Sequence, residues 1–108
     1  MPVKDENKEA YREMATRASR VFRDHGATRV VEAWGDYLPD GKVTDFKGAV
    51  KAEADEKTVF SWVEWPDKAT RDAGMAKVMA DERMKPGDGM PFDGQRMIYG
   101  GFAPVVDQ

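Results

Sequence analysis

The chain has 108 residues, with 17 Lys and Arg against 20 Asp and Glu, a formal net charge of −3 and no cysteine. That length bounds one domain with one ordinary hydrophobic core, residues 1–108, and the missing cysteines exclude disulfides, thiolate nucleophiles, iron–sulfur clusters and Cys-ligated zinc. No apolar run approaches the roughly 20 residues of a membrane span. The opening MPVKDENKEAYR lacks the apolar centre of a signal peptide, so a cytoplasmic location is expected. Charges of both signs alternate, as in KDENKEAYRE and ADERMK. This is the pattern of a solvated surface rather than a basic stripe, and neither nucleic acid nor membrane is expected as a partner.

In chain order, residues 5–25 read as one long helix. Tyr11, Met14, Ala15, Ala18, Val21 and Phe22 recur at spacings of three, four and seven and form one apolar stripe. Asp5, Glu6 and Glu9 sit at the positive end of the helix dipole; Arg20, Arg23 and His25 sit at the negative end, and Gly26 is the expected stop. Residues 27–34 read as a strand, Val30 and Trp34 on one face, Val31 and Ala33 on the other. A turn is expected over 35–42, where Pro39, Asp40 and Gly41 cluster. A short strand fits 42–46, and an excursion or loop fits 47–56. The clearest strand is 58–65: Val59, Val63 and Trp65 point one way, Phe60 and Trp62 the other. Pro66 ends it. Asp67 is the expected N-cap of a helix over 67–80, with Ala69, Ala73, Ala76 and Met79 or Ala80 as its packing stripe. A long connection with three Gly and two Pro covers 80–94. The last strand is expected at 95–103, extending as far as Val106, with Tyr99 and Phe102 on opposite faces.

The order helix, strand, strand, helix, strand lacks only a leading strand to be the split β-α-β order of ferredoxin-like domains. The chain resembles the DUF1428 (YbaA-like) family of the dimeric α+β barrel superfamily. The resemblance rests on EAYREMA at 9–15, RDHGA at 23–27, GKVTDF at 41–46, AVKAEADEKTVFSW at 49–62, KVMADERM at 77–84 and MPFDGQRMIYGGF at 90–102. It implies an α+β, ferredoxin-like two-layer sandwich: an antiparallel sheet with two helices on one face, paired sheet to sheet as a homodimer. It implies no established activity. Family members begin with an apolar strand where this chain has Met1 and Pro2. The first strand is therefore expected to be absent, leaving a start upstream, an inward shift of the last strand, or a neighbour to supply the pairing.

Candidate chemistry is sparse. His25, the one histidine, is either a ligand or a cation at a helix C-terminus. One His and no Cys leave too few soft ligands for a transition metal, so no metal or cofactor is expected. Ser61 lacks the Gly-x-Ser-x-Gly elbow, and Gly100-Gly101 lacks the Lys–Ser/Thr pair of a phosphate loop. The best binding material is aromatic. Trp34, Trp62 and Tyr99 could line a pocket, with Arg96 as an anion clamp and Glu32 as an acid or base; the same aromatics equally suit a core and a dimer interface. Two functions stay open: binding or transforming a small apolar or anionic molecule, or a non-enzymatic homodimeric interaction module.

Overall fold

A computed structural model of the chain describes residues 1–85 and 90–108. Residues 86–89 of the long connection expected at 80–94 lie outside them. Among the described residues, three strands form one antiparallel sheet in the order β1-β3-β2: β1 Pro2–Lys4, β2 Arg29–Trp34 and β3 Glu56–Glu64. It is accompanied by the α-helices α1 Lys8–Asp24, α2 Phe46–Ala49 and α3 Lys68–Ala80. The class is α+β, compatible with a ferredoxin-like sandwich.

The leading strand, expected to be absent, is formed. β1 is present and sits beside β3, with Pro2 opposite Thr58, Val3 opposite Lys57 and Lys4 opposite Glu56. It escapes a pattern reading because it is three residues long and starts with Pro, which has no N–H to give a ladder and is tolerated at a strand's first position. Val3 is nevertheless fully buried.

The expected stripe of α1 holds. Tyr11, Ala15 and Val21 are buried, and Met14, Ala18 and Phe22 are half-buried. The first three residues expected in this helix, Asp5–Asn7, form a 3-10 turn instead. The stop at Gly26 is a Schellman ending: Gly26 N–H donates to Arg23 O at 3.2 Å and Ala27 N–H to Phe22 O at 3.1 Å. Gly26 has φ +110°, where a residue with a Cβ would be strained.

Pairing of β2 with β3 sets Trp34 opposite Val59, Glu32 opposite Ser61 and Val30 opposite Val63. Val59 packs with Val3, Tyr11 and Ala15, so this set faces the helices. Val31 opposite Trp62 and Ala33 opposite Phe60 face away from them.

Three further expectations change. The strand expected at 42–46 is absent. Asp45 there accepts from Gly48 N at 2.6 Å and caps α2 inside the segment expected as a loop. α3 is capped by Asp67 as expected, accepting from Thr70 N at 2.7 Å. Its buried side is Gly74 and Val78, however, while Ala69, Ala73, Ala76, Met79 and Ala80 are exposed. A Cβ on Gly74 would lie 2.6 Å from the His25 carbonyl oxygen, and closer still to the Trp65 ring. It is this close approach, rather than an alanine stripe, that seats α3. Lastly, the strand expected at 95–103 is not formed. Gly94–Arg96 is a 3-10 turn capped by Asp93, and residues 97–108 have neither helix nor strand.

Candidate functional site

A cleft of about 260 Å³ opens between α1 and the helix-facing side of β2. Its walls follow from the two periodicities. Every third or fourth residue of α1 turns to the sheet, bringing Lys8, Tyr11, Arg12 and Ala15; alternate residues of β2 turn to the helix, bringing Val30, Glu32 and Trp34. Val59 of β3 completes the apolar part. Lys8 Nζ lies 5.3 Å from the Trp34 ring centroid, a cation–π placement at the rim.

Inside the cleft the Tyr11 hydroxyl donates to Glu32 Oε1. The neighbourhood acts on both groups in the same sense. Desolvation pushes the Glu32 carboxyl above its ordinary value, while the Tyr11 and Ser61 hydroxyls pull it back less strongly. Desolvation and then the adjacent Glu32 carboxylate push the Tyr11 phenol well above its usual range. Tyr11 therefore stays a donor, and Glu32 holds a proton more readily than a solvated carboxylate. The Phe92 ring meets Tyr11 edge-on at 6.0 Å and closes its other side.

Of the six residues proposed from the sequence, the structure brings only Glu32 and Trp34 into this cleft. Trp62 lies on the opposite sheet face, beside Phe60 at 5.9 Å. Tyr99 is 90% exposed in the segment that forms no strand. Arg96 is fully engaged: Nη1 and Nη2 bind Glu56 Oε1 and Oε2 at 2.7 and 2.8 Å, Nε binds Asp93 at 3.0 Å, and Nη1 also donates to Lys51 O. The Arg96 guanidinium holds the buried Glu56 carboxyl below its ordinary range and ties the turn Gly94–Arg96 to the start of β3. His25 sits at the far end of α1, its Nε2 2.8 Å from Asp81 Oδ2. Arg83 grips the same Asp81 and reaches Asp24 at 2.8 Å, and Arg83 and then His25 hold Asp81 well below the carboxylate range. This cluster joins α1 to the turn after α3. Among the described residues no three His, Cys, Asp or Glu side chains gather where they could hold a metal ion, and no helix is long and apolar enough to cross a membrane.

The residue that sequence reasoning left in the core is Tyr11. It is the one residue of the stripe Tyr11, Met14, Ala15, Ala18, Val21 and Phe22 with a hydroxyl, and that hydroxyl requires a partner once buried. That requirement is the signal that could have singled it out; the identity of the partner, 21 residues away, could not be read.

Comparison with known proteins gives a consistent picture. A family model described as "Protein of unknown function (DUF1428)" matches residues 1–94. Proteins named "Uncharacterized protein YbaA" from Escherichia coli strain K12, Escherichia coli O157:H7 and Shigella flexneri are each 56% identical over 107 residues, covering 98% of this chain and 92% of the relative.

Proposed function

The chain belongs to the DUF1428 family of proteins of unknown function, and from that premise we propose that it binds a small, largely apolar molecule with an oxygen-bearing or anionic head in the α1–β2 cleft. The observation that carries this reading is the Tyr11–Glu32 hydrogen bond inside a concave, mostly apolar opening. A few convergent polar groups in an apolar pocket are the usual form of a ligand site. Glu32 with its raised pKa can share a proton with a ligand oxygen, Trp34 and Val30 offer apolar surface, and Lys8 and Arg12 at the rim suit a negative group. The test is native mass spectrometry of protein purified from its own host, with Glu32→Ala and Trp34→Phe variants alongside. A small molecule retained by the native chain and lost from the variants supports the reading. No retained mass, together with unchanged tryptophan fluorescence across a panel of aromatic carboxylates such as benzoate, overturns it.

A second reading has its own support: a homodimer formed through the sheet face turned away from the helices. Phe60 and Trp62 are 56% and 41% exposed on that face, and Phe46 stacks edge-on against Phe60 at 6.1 Å. A contiguous aromatic patch of this kind marks an interaction surface. The same proposal makes a second copy the partner, with neither nucleic acid nor membrane involved, and assigns the cysteine-free chain to the cytoplasm.

A further inference from the structure

β3 is the middle strand, yet one of its edges is covered for only part of its length. β2 pairs it from Val59 to Glu64. On the other side β1 reaches only Glu56–Thr58, with Met1 bracketing Val59 through Val59 N–H to Met1 O and the Met1 ammonium to Val59 O, both 2.8 Å. Backbone groups alternate between edges along an antiparallel strand. Asp55 and Val59 turn theirs toward β1, so Ser61 and Val63 present N–H and C=O to the same edge beyond its end. Among the described residues no strand lies there. An uncovered edge in the middle of a sheet is a template for another strand.

The same chain carries a segment suited to that edge. Residues 97–108 form no helix or strand, and Ile98, Tyr99, Phe102, Val105 and Val106 are strongly exposed, Phe102 at 89% and Val105 at 97%. The segment runs past α3, where a Cβ on Gly101 would lie 2.7 Å from Arg71 Nη1, which leaves its apolar side chains outside the fold. With the half-exposed Phe46, Phe60 and Trp62, these groups offer each copy on the order of 800 Å² of apolar surface, about what one partner of a stable interface buries.

We propose that the C-terminal segment 97–106 of one copy adds as a strand along the Ser61–Val63 edge of β3 in a second copy, and reciprocally. Strand addition supplies backbone hydrogen bonds to both unpaired partners and removes the exposed apolar side chains from water. The inference rests on the self-association proposed above and specifies the element that performs it.

The experiment combines sedimentation over a wide concentration range with amide exchange at its two ends, on the full chain, an Ile98→Pro/Phe102→Pro variant and Trp62→Glu. The two prolines remove ladder donors from a segment that forms no element in the single chain, and circular dichroism checks that the monomer fold is kept. The expected result is a native dimer in which amides of Ser61, Val63 and 98–104 slow as association rises. The proline variant should associate at least about tenfold more weakly, the loss expected for a central contact. Equal dimerisation of the proline variant, or unprotected 98–104 amides in the dimer, overturns the proposal. If Trp62→Glu alone abolishes the dimer while the proline variant keeps it, sheet-face pairing stands and strand exchange falls. A native chain that remains monomeric overturns both.

Discussion

At the scale of single residues, the buried Glu56 and Glu32 at the cleft carry opposite linkages. Glu32 holds its proton above the ordinary carboxylate range because it is desolvated. Over the window between the unfolded value and that raised value the folded chain binds more protons, so its stability falls as pH rises. Glu32→Gln keeps an acceptor for Tyr11 and removes the titration. The variant is expected to melt higher than the native chain at neutral pH, with the gain shrinking toward about pH 4, below the window. An identical difference at both pH values would rule out burial as the cause. Glu56 behaves in the reverse sense: Arg96 depresses it, so its contribution is full above the unfolded value and is lost as pH falls through the folded one. Gly74 is the other single-residue test. Alanine there gains up to about 1 kcal/mol of helix propensity but drives a Cβ to 2.6 Å from the His25 carbonyl oxygen, a backbone atom with little room to give. Overpacking of about 1–3 kcal/mol outweighs the propensity, and Gly74→Ala should lower the midpoint of urea unfolding.

Among the elements, the turn Gly94–Arg96 is held by polar contacts, the Asp93 cap and above all Arg96. Gly94–Arg96 has no buried apolar residue of its own and is held by Arg96, which bridges Glu56 of β3, Asp93 and the Lys51 carbonyl. Truncating Arg96 leaves the 6%-exposed Glu56 with an uncompensated charge. Arg96→Ala should therefore lower the melting temperature at neutral pH, by more than truncation of Arg12, whose pair with Glu9 is exposed and 3.7 Å long. The gap between Arg96→Ala and the native chain should close in acid, where Glu56 is protonated in both. If Arg96→Ala costs no more than Arg12→Ala, the tether has no structural weight.

For the whole molecule, the Cα radius of gyration is 14.8 Å, against about 13 Å for a compact chain of this length, and the extents are 39 × 37 × 21 Å. A flat layer with an apolar sheet face and an apolar C-terminal segment outside it has surface to bury on association. Binding that favours the folded state raises stability by mass action. The melting temperature is accordingly expected to climb with protein concentration, and to stop climbing in Trp62→Glu. A concentration-independent midpoint for the native chain would mean that folding and association are uncoupled.

What the sequence determined by itself is local. The stripe of α1, its Schellman stop at Gly26, the Asp67 cap of α3 and the two faces of β2 and β3 each follow from residues within one or two turns, because a helix or strand repeats its geometry every few residues. Glu32 and Trp34 could be placed on one face for the same reason. Tertiary structure decided everything that needs a partner distant in the chain. Tyr11 became a donor to Glu32 as well as part of the core. Arg96 pairs with Glu56, 40 residues away. Gly74 and Val78, not the alanines, seat α3. Three residues with a proline became β1 because β3 offered an edge, while the more strand-like 97–103 pairs with no strand among the described residues. A strand is completed by its neighbour's hydrogen bonds, and alternation along one segment contains no record of whether that neighbour exists.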